Sequence, residues 1–232
     1  MPHRTVQCPS PNHDSRGGAP IDILVLHYTG MKTAEEALAR LCDPAAKVSA
    51  HYTIDRNGTV YAHVPESERA WHAGVSYWAG ERNVNARSIG IELVNPGHEF
   101  GYVPFADAQI DALIELAQGI VKRHPITPSR VVGHSDVAPA RKTDPGELFP
   151  WERLAKAGIG LWPKEPFARL AESAAKSLAR YGYGVPPDVD VLLESVIAAF
   201  QRRFRPEKTN GEWDGQCSGI LSCLLMQQSG SV

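Results

Sequence analysis

The stretch Ile21-Asp22-Ile23-Leu24-Val25-Leu26-His27 decides the fold. Its apolar run leaves little room for solvent on either face, which is the composition of a strand buried in a sheet covered on both sides. Downstream, residues 33–42 carry Ala34, Ala37, Leu38 and Leu41 at helical spacing, with Thr33 placed as N-cap. Residues 51–54 and 59–62 flank Asp55-Arg56-Asn57-Gly58, a hairpin signal. Residues 88–94 read as another strand. Residues 106–123 form an amphipathic helix with Ile110, Leu113, Ile114, Leu116, Ala117, Ile120 and Val121 facing inward. Residues 130–132 give a short strand and 151–157 a helix, while residues 1–20, rich in Pro, Gly, Ser and His, form an irregular lead-in. Strands and helices interleaved in this way specify an α/β domain with one central sheet.

The composition changes after Gly158-Ile159-Gly160-Leu161-Trp162-Pro163. Three helical stretches are predicted beyond it, at about 167–181, 188–203 and 217–228, separated by turn signals. The expected division is therefore a domain over residues 1–163 and a small, independent three-helix domain over 164–232.

With 24 Lys and Arg against 26 Asp and Glu and no strongly basic run, the chain is not built to bind nucleic acid or an anionic membrane electrostatically. Cys8, Cys42, Cys217 and Cys223 form no C-x-x-C pair and read as free thiols of a reducing compartment; a Cys217–Cys223 disulfide requires an oxidising one. Residues 1–8 hold no apolar stretch able to act as a signal peptide, and no segment approaches the roughly 20 apolar residues that span a bilayer. A soluble, monomeric protein of the cytoplasm is expected, or of the periplasm or cell envelope if a leader has been removed.

Polar side chains at the ends of apolar strands carry the chemistry. His27 closes the first strand and His134 closes Val131-Val132-Gly133, with Asp144 ten residues on. Two imidazoles and a carboxylate suit a catalytic zinc ion with one position open, and they equally describe a non-haem iron triad. Hydrolysis favours zinc, which brings the pKa of water to about 7. In Ser88-Ile89-Gly90-Ile91-Glu92-Leu93, Ser88, Gly90 and Glu92 share one face and the three apolar residues the other. Gly90 is expected to clear space so that Glu92 faces an open cleft. Glu92 fits the general base, and Lys142 the cation that meets a developing oxyanion. The plainer alternatives are a surface carboxylate, a solvated cation, and a turn at Asp144-Pro145-Gly146.

Six ordered segments carry a resemblance: Leu26-His27-Tyr28-Thr29, Val48-Ser49-Ala50-His51-Tyr52-Thr53-Ile54-Asp55, Ala70-Trp71-His72-Ala73-Gly74, Ser88-Ile89-Gly90-Ile91-Glu92, Gly133-His134-Ser135-Asp136 and Arg141-Lys142-Thr143-Asp144-Pro145-Gly146. Over about residues 20–163 the chain resembles zinc-dependent N-acetylmuramoyl-L-alanine amidases of the AmpD/AmiD type, whose fold is shared with peptidoglycan recognition proteins. The resemblance implies a central mixed β-sheet flanked by helices. It also implies one Zn²⁺ per chain on His27, His134 and Asp144, with Glu92 and Lys142 as the catalytic pair. Cleavage would fall between the lactyl group of N-acetylmuramic acid and L-alanine, in peptidoglycan or anhydro-muropeptides. Tyr52, Trp71, His72 and Asn85 match positions around the groove, and Trp71 or Trp78 offers either a stacking plane or a core ring. Residues 177–183, 196–204 and 211–215 resemble a peptidoglycan-binding three-helix domain. The alternative is a recognition module of the same fold without catalysis; the complete ligand set with Glu92 and Lys142 favours the enzyme.

Overall fold

A computed structural model describes residues 5–164 and 170–230. Its strands are β1 (Thr5–Gln7), β2 (His13–Ser15), β3 (Ile23–Tyr28), β4 (Tyr52–Ile54), β5 (Val60–Ala62), β6 (Glu68–Ala70), β7 (Ser88–Leu93) and β8 (Val131–Gly133). Between and after them run helices α1 (Ala34–Cys42), α2 (Val84–Arg87), α3 (Gly97–Phe100), α4 (Asp107–Arg123), α5 (His134–Val137) and α6 (Trp151–Lys156). Helices α7 (Ala174–Tyr181), α8 (Leu193–Phe204) and α9 (Gly215–Gln228) follow.

Among the described residues six strands form one mixed sheet in the order β1-β5-β4-β7-β3-β8, and β2 pairs with β6. Strands β4, β7, β3 and β8 are parallel, so their C-terminal ends lie together; β4 and β5 form the expected hairpin around Asp55-Arg56-Asn57-Gly58. Gly58 supplies the positive φ of 86° that this turn needs.

Alternation sorts the sheet into two faces as anticipated. Leu24, Leu26, Ile89, Ile91, Leu93 and Val131 pack against Ile110, Leu113, Leu116 and Ile120 of α4. Ile23, Val25 and Val132 point the other way and share one buried cluster with Trp78, Val84 and side chains of α7, α8 and α9, including Leu178, Phe200 and Leu221. Each such fully buried Leu, Ile or Phe contributes roughly 1.5–3 kcal/mol over exposure, so covering both faces is what holds this sheet together. The helices after residue 170 are thus packed directly onto the sheet, with no solvent layer between.

Helix α7 starts at Ala174, where the Ser173 hydroxyl accepts the Lys176 N–H, later than the predicted 167; residues 167–169 lie outside the described residues. Helix α8 starts at Leu193 instead of 188, after an extended Leu192. Asp214 caps α9 by accepting the N–H groups of Gln216 and Cys217, so the helix starts at Gly215, two residues before the predicted start. No helix among the described residues is long and apolar enough to cross a membrane.

Candidate active site

Strand register brings the site together. His27 of β3 stands beside Glu92 of β7, and Leu26 beside Gly133, so β8 delivers His134 to the same sheet end. Parallel strands end in this way at a ligand crevice. Asp144 is held by its own carbonyl, which accepts the Ser135 N–H at 2.8 Å.

His27 Nδ1, His134 Nδ1 and Asp144 Oδ2 converge: the two nitrogens are 2.9 Å apart and each lies 3.1 Å from the carboxylate oxygen. Ligands on zinc bonds of about 2.0–2.1 Å sit about 3.3 Å apart in a tetrahedron, so the triangle has nearly that size.

The tautomers follow from what the outer nitrogens touch. Among the described residues His134 Nε2 faces the Ala73 carbonyl alone, at 3.1 Å, so in the neutral ring it carries the proton and Nδ1 holds a lone pair. Ser88 Oγ donates to the Val84 carbonyl at 2.7 Å and so accepts from His72 Nε2 at 3.1 Å. His72 Nδ1 is then an acceptor, and His27 Nε2 donates to it across 3.0 Å. His27 Nδ1 is left with a lone pair as well. Two lone pairs and a carboxylate oxygen therefore face one another with no proton between them. A cation is the group that this donor set fits.

The ionisation states agree. Burial, then the neighbouring His134, pushes the His27 imidazole down to about 4. Glu92 goes the other way: burial and then the Asp144 charge raise it well above an ordinary carboxyl, with Lys142 opposing. Glu92 Oε2 is enclosed and has no hydrogen-bond partner among the described residues.

A cleft of about 540 Å³ opens over these groups, lined by Glu92, Lys142, His134, Asp144, Trp71, His72 and Asn85 among others. Three of the four expected groove positions, Trp71, His72 and Asn85, are there, but they do different things. Trp71 is half-buried in the wall. His72 is buried behind His27. Asn85 Oδ1 accepts the N–H groups of His72 and Ala73 at 3.1 and 2.8 Å, so it fixes the segment whose carbonyl orients His134. Tyr52 stands apart from them: its hydroxyl donates to Glu66 at 2.8 Å, and Glu66 is itself paired with Arg123 and His124. Trp78 is fully buried, edge-on to Tyr181 and Tyr183, hence core.

Gly90 also serves a different purpose from the one expected. A Cβ there would lie 2.5 Å from the His72 ring, so the glycine admits His72 rather than clearing space for Glu92. Sequence reasoning assigns no role to Ser88 or to Ala73. Ser88 could have been found from its shared face with Glu92; a backbone carbonyl leaves no sequence signal.

Comparison with known proteins bears on what this site does. The Amidase_2 family, described as N-acetylmuramoyl-L-alanine amidase, matches residues 17–147. The N-acetylmuramoyl-L-alanine amidase AmiD of Escherichia coli strain K12 is 43% identical, over 88% of this chain and 82% of its own. The 1,6-anhydro-N-acetylmuramyl-L-alanine amidase AmpD of Haemophilus influenzae is 39% identical, over 63% of this chain and 88% of its own. The structure of E. coli AmiD with the substrate anhydro-N-acetylmuramic acid-L-Ala-D-γ-Glu-L-Lys superposes with a TM-score of 0.80 at 39% identity, covering 94% of this chain and 93% of that one.

Proposed function

The chain belongs to the Amidase_2 family of N-acetylmuramoyl-L-alanine amidases, and from that premise we propose that it hydrolyses the lactyl–L-alanine amide of muropeptides at a zinc centre formed by His27, His134 and Asp144. The enzyme class follows from the family, which is zinc-dependent. The convergence of His27 Nδ1, His134 Nδ1 and Asp144 Oδ2 within 3.1 Å is the observation that carries the assignment of the centre.

When bound, zinc supplies Lewis acidity, polarising a carbonyl oxygen and making water more acidic. Glu92 Oε2 takes the proton of the attacking water and delivers it to the departing amine of L-alanine. Its raised proton affinity, from burial and the Asp144 charge, matches that task. Lys142 brings a cation into the cleft where the carbonyl oxygen gains negative charge. Trp71 offers an apolar plane for sugar or peptide. His72 and Asn85 act through the ligands they orient.

AmiD is matched over most of this chain, whereas the AmpD match covers 63% of it. We assign residues 1–163 to the catalytic unit and 164–232 to a helical unit that serves peptidoglycan binding. Incubation with 1,6-anhydro-N-acetylmuramyl-tripeptide and, separately, with intact sacculi tests the reading. New α-amino groups of L-alanine should appear with the soluble substrate in the presence of zinc and vanish on chelation. A recognition module would bind the same muropeptide and release no amine.

A further inference from the structure

Cys8 and Cys42, separated by 34 positions in sequence, place their sulfurs 3.5 Å apart. The fold holds both backbones in place. Cys8 continues the β1–β5 ladder by donating its N–H to the Ala62 carbonyl at 2.9 Å. Cys42 ends α1, where Ser10 Oγ donates to the Leu41 carbonyl at 2.5 Å and Asn12 Nδ2 to the Asp43 carbonyl at 2.8 Å. The residues flanking one cysteine therefore fasten the helix end that carries the other.

His63 adjoins the pair, its Nδ1 3.9 Å from Cys42 Sγ, and the three side chains together look like a soft-metal site. The hydrogen bonds argue against that use. His63 Nδ1 lies 2.7 Å from the Cys8 carbonyl, an acceptor only, so this nitrogen carries the proton. Its Nε2 then accepts from the Thr53 hydroxyl at 2.8 Å. No imidazole lone pair is left for an ion, and two sulfurs alone fall short of a closed zinc site. Both cysteines are part-exposed, so a small reagent can reach them. By contrast Cys217 and Cys223 sit six residues apart on α9, about 9 Å along the axis and past the roughly 7 Å limit for bridging.

We propose that Cys8 and Cys42 are a dithiol site that reacts with low-molecular-weight disulfides to form an internal disulfide. The Cys8 thiolate attacks one sulfur of the small disulfide, the other sulfur leaves as a thiolate, and a mixed disulfide forms on Cys8. Cys42, losing its proton to solvent, attacks Cys8 Sγ and displaces the second small thiol. Two protein thiols and one small disulfide thus become one protein disulfide and two small thiols, with electrons balanced. Burial and the adjoining Cys8 sulfur push the Cys42 thiol up to about 11, so Cys42 is not the thiol that attacks first. The bond fastens the N-terminal arm to α1, whose Ala37, Arg40 and Leu41 line the active-site cleft.

The test treats the full-length zinc-loaded protein with excess oxidised glutathione at about pH 8 and counts thiols after denaturation. The four free thiols should fall to two, with a peptide cross-link between residues 8 and 42. The unfolding midpoint should rise by roughly 5–15 °C, reversed by dithiothreitol. Cys42→Ser should stop at a glutathione adduct on Cys8. A titre that stays at four, glutathione on both cysteines without a cross-link, or a second bound zinc that shields both thiols would each overturn the proposal. The wild-type titration alone decides the matter if a variant fails to fold.

Discussion

Arg203 of α8 donates to Asp136 across 2.7 Å, with both side chains almost completely buried. The same carboxylate accepts the Gly133 N–H at 2.7 Å and the Tyr183 hydroxyl at 2.6 Å. Arg203 also donates to the Val131 carbonyl at 2.9 Å, and its guanidinium lies 4.1 Å over the Trp151 ring. The C-terminal helices are therefore wired to β8 and to the residue that precedes His134. Removing one partner of such a pair leaves a buried charge. Arg203→Met is expected to cost about 3–5 kcal/mol in urea unfolding, and Asp136→Asn in the same background should restore part of it. Equal stability of Arg203→Met and wild type would show that the pair does not tie the helices to the sheet.

Glu92→Gln keeps the shape of the side chain and removes its basicity. Hydrolysis should fall about 10²- to 10⁴-fold while zinc content stays at the wild-type level. Single-turnover rates alongside metal analysis check this. Unaltered turnover would reject Glu92 as the base.

Lys142→Ala should lower kcat and leave KM for the muropeptide nearly constant, because charge on the carbonyl oxygen develops only in the transition state. A raised KM at constant kcat would instead make Lys142 a ground-state contact.

His51 sets an acid limit on the metal-free fold. Its Nδ1 accepts the Gly90 N–H at 3.0 Å, so Nε2 carries the proton and donates to the Glu68 carbonyl at 3.2 Å, with Arg16 Nη2 2.7 Å away. Burial, then the Arg16 charge, pushes it down to about 3. The unfolded value is about 6.5, so below that pH the unfolded chain binds the extra proton and the folded chain does not. The stabilisation is complete above about pH 6.5 and declines by up to about 1.4 kcal/mol per pH unit as pH falls toward 3. His27 acts in the same direction. Urea midpoints between about pH 7 and 5 should therefore fall, and His51→Gln should flatten the slope; an identical slope would exclude His51.

Much of this was legible in the sequence because it is periodic or terminal. Strand alternation put Ser88, Gly90 and Glu92 on one face, and His27 and His134 close apolar runs, so the convergence of these groups needed only the parallel register of β3, β7 and β8. What lay hidden depends on contacts between distant segments. The relay from His27 through His72 to Ser88 requires the β6–α2 segment to fold back over Gly90, which is why that glycine was given the wrong reason. Arg203 and Asp136 stand 67 positions apart, with nothing local to pair them. Cys8 and Cys42 meet only because β1 adds to the sheet edge, and a three-residue strand has no period to read. Tyr52 and Trp78 carry aromatic rings suited to a groove, yet burial and a nearby carboxylate gave them structural places.

Zinc analysis of dialysed protein, with His134→Ala beside the wild type, tests the metal centre most directly. Ligation by His27, His134 and Asp144 requires one zinc per wild-type chain and its loss from a variant that still folds. A folded His134→Ala protein holding the full complement of zinc would contradict the centre, and with it the roles assigned to the residues around it.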